Sequence, residues 1–425
     1  MTLTKPEDLF LTLRSRTRPT AAEGGGERPV VVLDPFGVVP GLPPLVWDPL
    51  AGCADPLIAE RRAKAFASGV SKGASEQSAR FYAGECAKVL QGYFHAAALA
   101  GLDLDDVMGW VADPRTDPRA EEILRTHPYA ARHWDGLLRG ALFGDERTAG
   151  NTITTVQQAM SLFFQTSIRE RCTPTPERPA TDIEALIRAN GTIYLLGRED
   201  PYASASPLMT AVTEDVLDTA KGLGETSPYG RLCPPFLATL DELPSTAPIP
   251  TLATRMANER ALGISFIIAA QTWRQLVRCF GDDEARTILG LSNNLIVFGG
   301  GKDVGFYREL SDLIGQRTVM REGESRSGGW WKSEKSRNWS PHETPILQAS
   351  ELRRIPERQA LVLSEAHPPI LAHLDRCIDS RYARRRGWTT QLIEDQRAVR
   401  LQVAEARAKQ SPSAQYGVSG SAPDA

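Results

Sequence analysis

The sequence predicts an α/β protein: a mainly parallel sheet with helices on both faces, interrupted by an all-α region. Three observations carry this. From Gly191 to Ile370 short apolar runs alternate with amphipathic stretches at the spacing of βαβ units. Far upstream, Val30-Val-Val-Leu33 is a β-branched run halted by Asp34-Pro35 and Gly37, which is how a buried strand and its C-terminal turn read. Between the two, from Glu76 to about Phe164, β-branched clusters nearly vanish and Ala, Leu and aromatic residues recur at helical spacing.

The elements follow in order. The first ~25 residues are polar and close on Glu23-Gly-Gly-Gly-Glu27. After the strand Val30–Leu33, a Gly/Pro-rich loop leads to Trp47-Asp48-Pro49-Leu50. Asp55-Pro56 then opens a helix to about Ser68, with proline at the first helical position, where its missing N–H costs nothing. Ala79, Ala83, Cys86, Ala87, Leu90, Phe94 and Ala97 form one helical stripe, and Asp103 caps the next helix, so three to five helices are expected up to about Phe164. The run Thr173-Pro-Thr-Pro-Glu-Arg-Pro179 punctuates the chain. Strands are then expected at 191–196, 235–240, 264–269, 294–298 and 360–363. The intervening helices are expected at 207–222, 251–262, 273–280, 282–289 and 303–314, and the strands are read as one parallel sheet. Beyond Ile370 the chain is charged, with a polar helical stretch over 391–409 and a Ser/Ala/Gly-rich tail read as disordered. The expected divisions are 1–75, 76–170, 171–380 and 381–425.

Composition excludes several classes. The 425 residues carry 49 Lys+Arg against 52 Asp+Glu, a formal charge of −3, so any nucleic-acid contact must be local. No apolar run approaches the ~20 residues of a membrane span, and residues 1–8 lack the pattern of a signal peptide, so a cytoplasmic location is expected. The six cysteines contain no CxxC pair and the six histidines no HExxH, which argues against a structural metal or a disulfide framework. GxGxxG does not occur.

The chemistry concentrates at Phe236-Leu-Ala-Thr-Leu-Asp241-Glu242, an apolar strand delivering two carboxylates at its C-terminal end. In nucleotide-hydrolysing folds the first such carboxylate holds Mg²⁺ and the second polarises water; a strand followed by an ordinary Asp-Glu turn reads the same way. Downstream, Arg260 precedes the strand at 264–269 and Gln271 follows it, where open α/β sheets place ligand groups. An arginine there suits phosphoryl charge across a subunit boundary and a glutamine suits γ-phosphate sensing; a solvated arginine and a capping glutamine are the plainer alternatives. The phosphate loop GxxxxGK[ST] is absent. Its nearest approach, Gly299-Gly-Gly-Lys302-Asp303, has Ile296 for the leading glycine and Asp303 for Ser/Thr, and reads as a tight strand-to-helix turn. Residues 317–339 hold six basic and three acidic side chains, net +3, interleaved with Trp330, Trp331 and Trp339. That suits single-stranded nucleic acid, or equally an exposed Gly/Ser-rich loop packed on its own domain.

Several motifs together resemble the conjugative coupling proteins, the TraG/TraD-like ATPases of type IV secretion in the FtsK/HerA branch of RecA-like motors. They are Leu240-Asp241-Glu242-Leu-Pro-Ser-Thr-Ala-Pro-Ile249-Pro250, Asn258-Glu-Arg260-Ala-Leu-Gly263, Ala270-Gln271-Thr-Trp-Arg and Ala285-Arg-Thr-Ile-Leu-Gly290. Upstream, Val32-Leu-Asp34-Pro35 and Trp47-Asp48-Pro49-Leu50 are similar to the family's segment beyond its phosphate loop. The resemblance implies a RecA-like P-loop NTPase core interrupted by an all-α domain facing DNA or the relaxosome. It implies Asp241 and Glu242 as the Mg²⁺ and water-activating pair, Arg260 as a trans-acting arginine finger and Gln271 as sensor, with ATP and Mg²⁺ as cofactors. It further implies a homo-hexamer at the inner membrane that moves DNA, or a relaxase–DNA complex, towards a secretion channel. Members carry membrane helices and the phosphate loop ahead of the matched region, whereas residues 1–6 resemble the strand and turn after it. The expectation is therefore a C-terminal portion lacking the first strand and P-loop unit, unable to hydrolyse ATP alone unless a P-loop-bearing partner supplies that half. The alternative expectation is a nucleotide-independent module binding DNA or relaxase.

Overall fold

The computed structural model describes residues 1–17, 27–39, 41–70, 76–197, 204–327 and 334–385, with scattered positions between 391 and 405. The described chain divides into two compact units. One comprises Met1–Gln271, Gln275–Ile288 and Arg381–Ala425, the other Thr272–Arg274 and Leu289–Ser380.

The larger unit begins with β1 (Thr2–Leu3), α1 (Pro6–Arg16), β2 (Val30–Leu33) and α2 (Pro56–Ser68). Six helices follow without a strand: α3 (Glu76–Ala100), α4 (Leu104–Ala112), α5 (Arg119–Thr126), α6 (Trp134–Phe143), α7 (Glu146–Ala159) and α8 (Thr166–Cys172). Then come α9 (Ile183–Arg188), β3 (Thr192–Leu196), α10 (Ser206–Thr226), β4 (Phe236–Leu240), α11 (Leu243–Thr246), α12 (Leu252–Asn258) and β5 (Ile264–Ile268). Helices α13 (Trp273–Phe280) and α14 (Asp282–Leu291) reach the second unit. That unit contains β6 (Asn294–Phe298), α15 (Val304–Ile314), β7 (Gln316–Ser327), β8 (Glu334–Pro345), α16 (Ala349–Arg353), β9 (Gln359–Ser364) and β10 (Ile370–His373). Helix α17 (Arg381–Arg385) returns to the first unit.

Five parallel strands in the order β2-β3-β1-β4-β5 form the first sheet, as the βαβ spacing predicts. Strand alternation splits its side chains between two cores. Val31, Leu33, Ile193 and Leu195 join a large core with α2, α3 and α10, while Val30, Val32, Tyr194 and Leu196 pack with Leu3 and Leu9 of α1. The predicted caps form: the Asp55 carboxylate accepts from Leu57 N–H, and Asp103 and Asp106 make a reciprocal capping box.

Several expectations are corrected. The strands at 294–298 and 360–363 do not extend the parallel sheet: β6, β9 and β10 form a separate antiparallel sheet. A short apolar run carries no mark of its direction, and β10 was hidden by its charged neighbours. The helix expected to reach Leu262 ends at Asn258. The opening residues supply β1, where the resemblance implied a strand and turn for residues 1–6, and α1, which was not expected in that polar stretch. Within 317–339 the described residues are strand rather than loop: β7 and β8 pair antiparallel from Gln316↔Pro345 to Ser327↔Glu334. Their alternation is polar on both faces, so periodicity gave no signal. Trp330, Trp331 and the Ser/Ala/Gly tail lie outside the described residues, whereas Trp339 is exposed. Among the described residues no helix is long and apolar enough to cross a membrane.

Helix α10 binds its neighbours through charge. Arg255, 5% exposed, reaches Glu214, Asp218 and Glu259, and its Nε also bonds Thr251 at 2.7 Å. On the same helix Asp215 accepts from Arg62 and from Trp47 Nε1, each at 2.7 Å. Substituting Arg255→Met would remove the cation from the buried carboxylates of Glu214 and Glu259 and is expected to cost about 3–5 kcal/mol in urea unfolding, with Arg255→Lys recovering only a minor part.

A second buried group sets a pH dependence. The His95 ring lies 2.9 Å (Nδ1) from the Cys53 carbonyl oxygen, and its Nε2 accepts from Ala131 N–H at 3.1 Å, which fixes a neutral imidazole. Burial, the main cause, lowers its pKa; the Cys53 hydrogen bond opposes this. A histidine with a lowered folded-state pKa contributes fully above its unfolded value near ~6.5 and loses that contribution as pH falls towards the folded value. Unfolding midpoints are therefore expected to drop from pH 7.5 to 5.5, and His95→Leu is expected to remove this part of the dependence while costing about 1–3 kcal/mol.

Candidate functional site

The site lies at the C-terminal ends of β1, β4 and β5. Strands β4 and β5 run in register from Phe236↔Ile264 to Leu240↔Ile268. Beyond them Ala269 N–H donates to the Leu240 carbonyl at 2.9 Å and Leu243 N–H to the Ala269 carbonyl at 3.1 Å. This pairing holds the two strand exits together, and across it Gln271 Nε2 donates to Glu242 Oε1 at 2.8 Å. Of the four residues singled out in the sequence, Asp241, Glu242 and Gln271 are thus assembled at one place.

Arg260 is not. It sits, exposed, in the turn before β5, at the opposite end of that strand from Gln271. Within one chain the strand's length separates it from the carboxylates.

The electrostatics are those of crowded acids. The Asp241 carboxyl is pushed up from its usual range by burial first and by Glu242 second, with a Glu242 backbone hydrogen bond and Lys5 opposing. Asp8 of α1 is also raised, again chiefly by burial, with Asp241 and Glu242 adding to it and Lys5 opposing. Sequence reasoning missed Lys5 and Asp8. The signal was present in Thr2-Leu3-Thr4-Lys5-Pro6, but only the placement of β1 between β3 and β4 brings these residues beside Asp241. Thr2 Oγ1 donates to the Asp241 carbonyl at 3.2 Å, fixing that approach. Glu242 itself has φ of 45°, a left-handed conformation that disfavours a side chain with Cβ.

Two adjacent carboxylates, that of Asp241 with a raised pKa, and a tethered amide suit a hard divalent cation or the orientation of a water molecule. A phosphate cradle is a different requirement, and Gly299–Lys302 does not supply one. A Cβ at Gly299 would meet the Ile355 carbonyl oxygen at 2.2 Å, and one at Gly301 would meet the Tyr307 hydroxyl at 2.5 Å. The Gly300 N–H donates to the Arg353 carbonyl at 2.9 Å and the Gly301 N–H to Tyr307 at 3.1 Å. These amides close a turn, as the sequence suggested, and are not presented to an anion. Asp303 caps α15 through Phe306 N–H.

Relief of the crowded charge has a measurable consequence. A carboxyl whose folded pKa is raised destabilises the folded state once pH exceeds that value. Asp241→Asn is therefore expected to raise the thermal midpoint at pH 7, within the ~0.5–2 kcal/mol typical of such stabilising changes, and to lose that advantage as the pH is lowered towards 4.

Comparison with known proteins adds to this geometry. Residues 235–357 match the family described as the TraM recognition site of TraD and TraG. A stretch of 151 residues is 26% identical to the type IV secretion system-coupling protein VirD4 of Bartonella henselae, covering 35% of this chain and 23% of that protein. The matched part thus spans under a quarter of that relative's length. The unbound coupling protein TrwBΔN70 superposes with a TM-score of 0.60 at 18% identity, over 88% of this chain and 78% of that one. TrwB in complex with ADP and Mg²⁺ superposes with a TM-score of 0.57 at 18% identity, over 81% and 74% of the two chains. A likeness at that identity establishes the RecA-like fold. The match over residues 235–357 and the stretch similar to VirD4 make part of this chain similar to type IV secretion coupling proteins.

Proposed function

We propose that this chain serves DNA transfer through type IV secretion, with Asp241, Glu242 and Gln271 as its contribution to a nucleotide-hydrolysing site. The observation that carries the reading is the Gln271–Glu242 hydrogen bond beside Asp241 at the carboxyl ends of two adjacent parallel strands, where α/β folds bind ligands. Mg²⁺–ATP would supply the phosphoryl group and the cation. Asp241 would hold the metal through a carboxylate oxygen, Glu242 would orient and deprotonate a water, and Gln271 would keep Glu242 in place. Arg260 would act on a neighbouring subunit's site, a role its distance from its own chain's carboxylates supports, and that requires a ring. Relaxosome and secretion-channel components are the partners this reading expects, and the α3–α8 region is its candidate surface for DNA or relaxase.

The 425-residue chain alone is expected to bind Mg²⁺–ATP no tighter than roughly 1 mM and to show no turnover, because its described glycine turns offer no phosphate cradle. Joined to the phosphate-loop half of a coupling protein, it is expected to hydrolyse ATP. Glu242→Gln should then abolish turnover and Arg260→Ala should cut it on the order of 10³-fold. Turnover unchanged in Glu242→Gln would sink the assignment.

A second reading rests on the β7–β8 hairpin, where exposed Trp339 stands opposite Glu322, and Arg317 and Arg321 are also exposed. Such a basic, aromatic hairpin would hold single-stranded DNA without nucleotide. Anisotropy titrations with oligonucleotides should show affinity falling steeply between about 50 and 200 mM salt, and Trp339→Ala should weaken binding by ~1–3 kcal/mol. No binding at the lower salt would remove this reading.

A further inference from the structure

The β7–β8 hairpin leaves its faces and one of its edges open. Its strands are 12 residues each and form a two-stranded sheet. A lone hairpin is marginal in water, and an unpaired strand edge is a template for another chain. Pro341 and Pro345 deprive β8 of N–H donors, which closes that edge to a further strand, whereas β7 contains no proline. The outer edge of β7 is therefore the one that can accept a partner.

The register sorts the charges. Pairing is one-to-one, without a bulge, from Gln316↔Pro345 to Ser327↔Glu334. Residues opposite each other therefore share a face, and successive residues alternate between faces. One face carries Arg317, Val319 and Arg321 with Ser340 and His342. The other carries Thr318, Met320 and Glu322, which stand opposite Glu343, Pro341 and Trp339 respectively. Over 316–322 and 339–345 both arginines lie on the first face and both glutamates on the second. The second face is also the apolar one: Met320 is 54% exposed and Trp339 57% exposed, with Pro341 exposed between the two acidic rows.

We infer that β7 accepts an extended segment of a partner polypeptide along its open edge, with a basic, an apolar and a second basic residue at alternate positions. Strand addition supplies the main-chain hydrogen bonds, and the three rows of the glutamate face supply the selection. An arginine or lysine set beside Glu322 pairs with its carboxylate, and its long stem crosses β7 to lie against the Trp339 ring. Two residues on, an apolar side chain covers Met320 and Pro341. Two further on, the second cation reaches over the small Thr318 to Glu343. Successive rows are two residues apart, roughly 6.6 Å, the spacing of same-face side chains on an extended strand. The site lies wholly within the second unit and needs neither Asp241 nor a nucleotide, so it stands apart from the nucleotide reading.

The test is fluorescence anisotropy of the 425-residue chain with fluorescein-labelled Thr-Arg-Thr-Leu-Thr-Arg-Thr. Saturable binding is expected. The isomer Thr-Thr-Arg-Leu-Arg-Thr-Thr has the same composition and charge but sends its arginines to the face opposite its leucine, and should bind on the order of tenfold more weakly. Trp339→Ala and Glu322→Gln should each weaken the first peptide severalfold with an unchanged urea midpoint, whereas His342→Gln, on the other face, should leave it unaltered. Glu322→Lys combined with Glu343→Lys should transfer the preference to Thr-Glu-Thr-Leu-Thr-Glu-Thr. Equal affinity for the two arginine isomers would reduce the effect to general charge attraction and overturn the proposal, as would the absence of saturation at millimolar peptide. Displacement of the peptide by a single-stranded oligonucleotide, with both ligands weakened alike by Trp339→Ala, would assign this face to nucleic acid and overturn it too.

Discussion

The guanidinium of Arg255, held among Glu214, Asp218 and Glu259, is the interaction on which the larger unit depends most directly. A buried cation of this kind is stable only while its carboxylates surround it, and the carboxylates are tolerable only while it is present. Together they lock α10 to α12, the helix leading into β5. From the same helix Asp215 holds Arg62 and Trp47, so α2 and the Trp47 loop are tied to one central element. The sheet edge that presents Asp241 is positioned by helices whose register these charges set.

Stability and chemistry pull against each other at that edge. Asp241 is partly desolvated beside Glu242, Asp8 adds a third acid, and Glu242 sits in a left-handed conformation. None of this favours the folded chain alone. Such features persist where the surrounding structure over-determines them, and here the Leu240–Ala269 and Leu243–Ala269 hydrogen bonds do so by fixing both strand exits. A bound cation would relieve the same crowding by neutralising the carboxylates.

The glycine turn at 299–301 shows how a local motif misleads without its surroundings. By spacing it approaches a phosphate loop, yet each glycine has a structural reason: close contact with Ile355, a positive φ at Gly300, and close contact with Tyr307. Its amides are consumed in closing the turn. The hairpin at 316–345 makes the converse point. Its strands carry polar residues on both faces, so hydrophobic periodicity is silent, and backbone pairing alone defines it.

Taken alone, the amino-acid sequence determined the α/β class, the helical region, most strand positions and the pairing of Asp241 with Glu242. Those depend on residue spacing within a few turns of chain, and periodicity reads them directly. It also marked Gln271, because a strand's exit is visible as the end of an apolar run. What it left open was decided by contacts between residues far apart in the chain. Strand order, the antiparallel sheet of β6, β9 and β10, the recruitment of Lys5 and Asp8, and the separation of Arg260 from its own chain's carboxylates all required the tertiary structure. The reason is that a strand's neighbour is chosen by packing against helices on both faces, and the local sequence of a short apolar run does not record that choice.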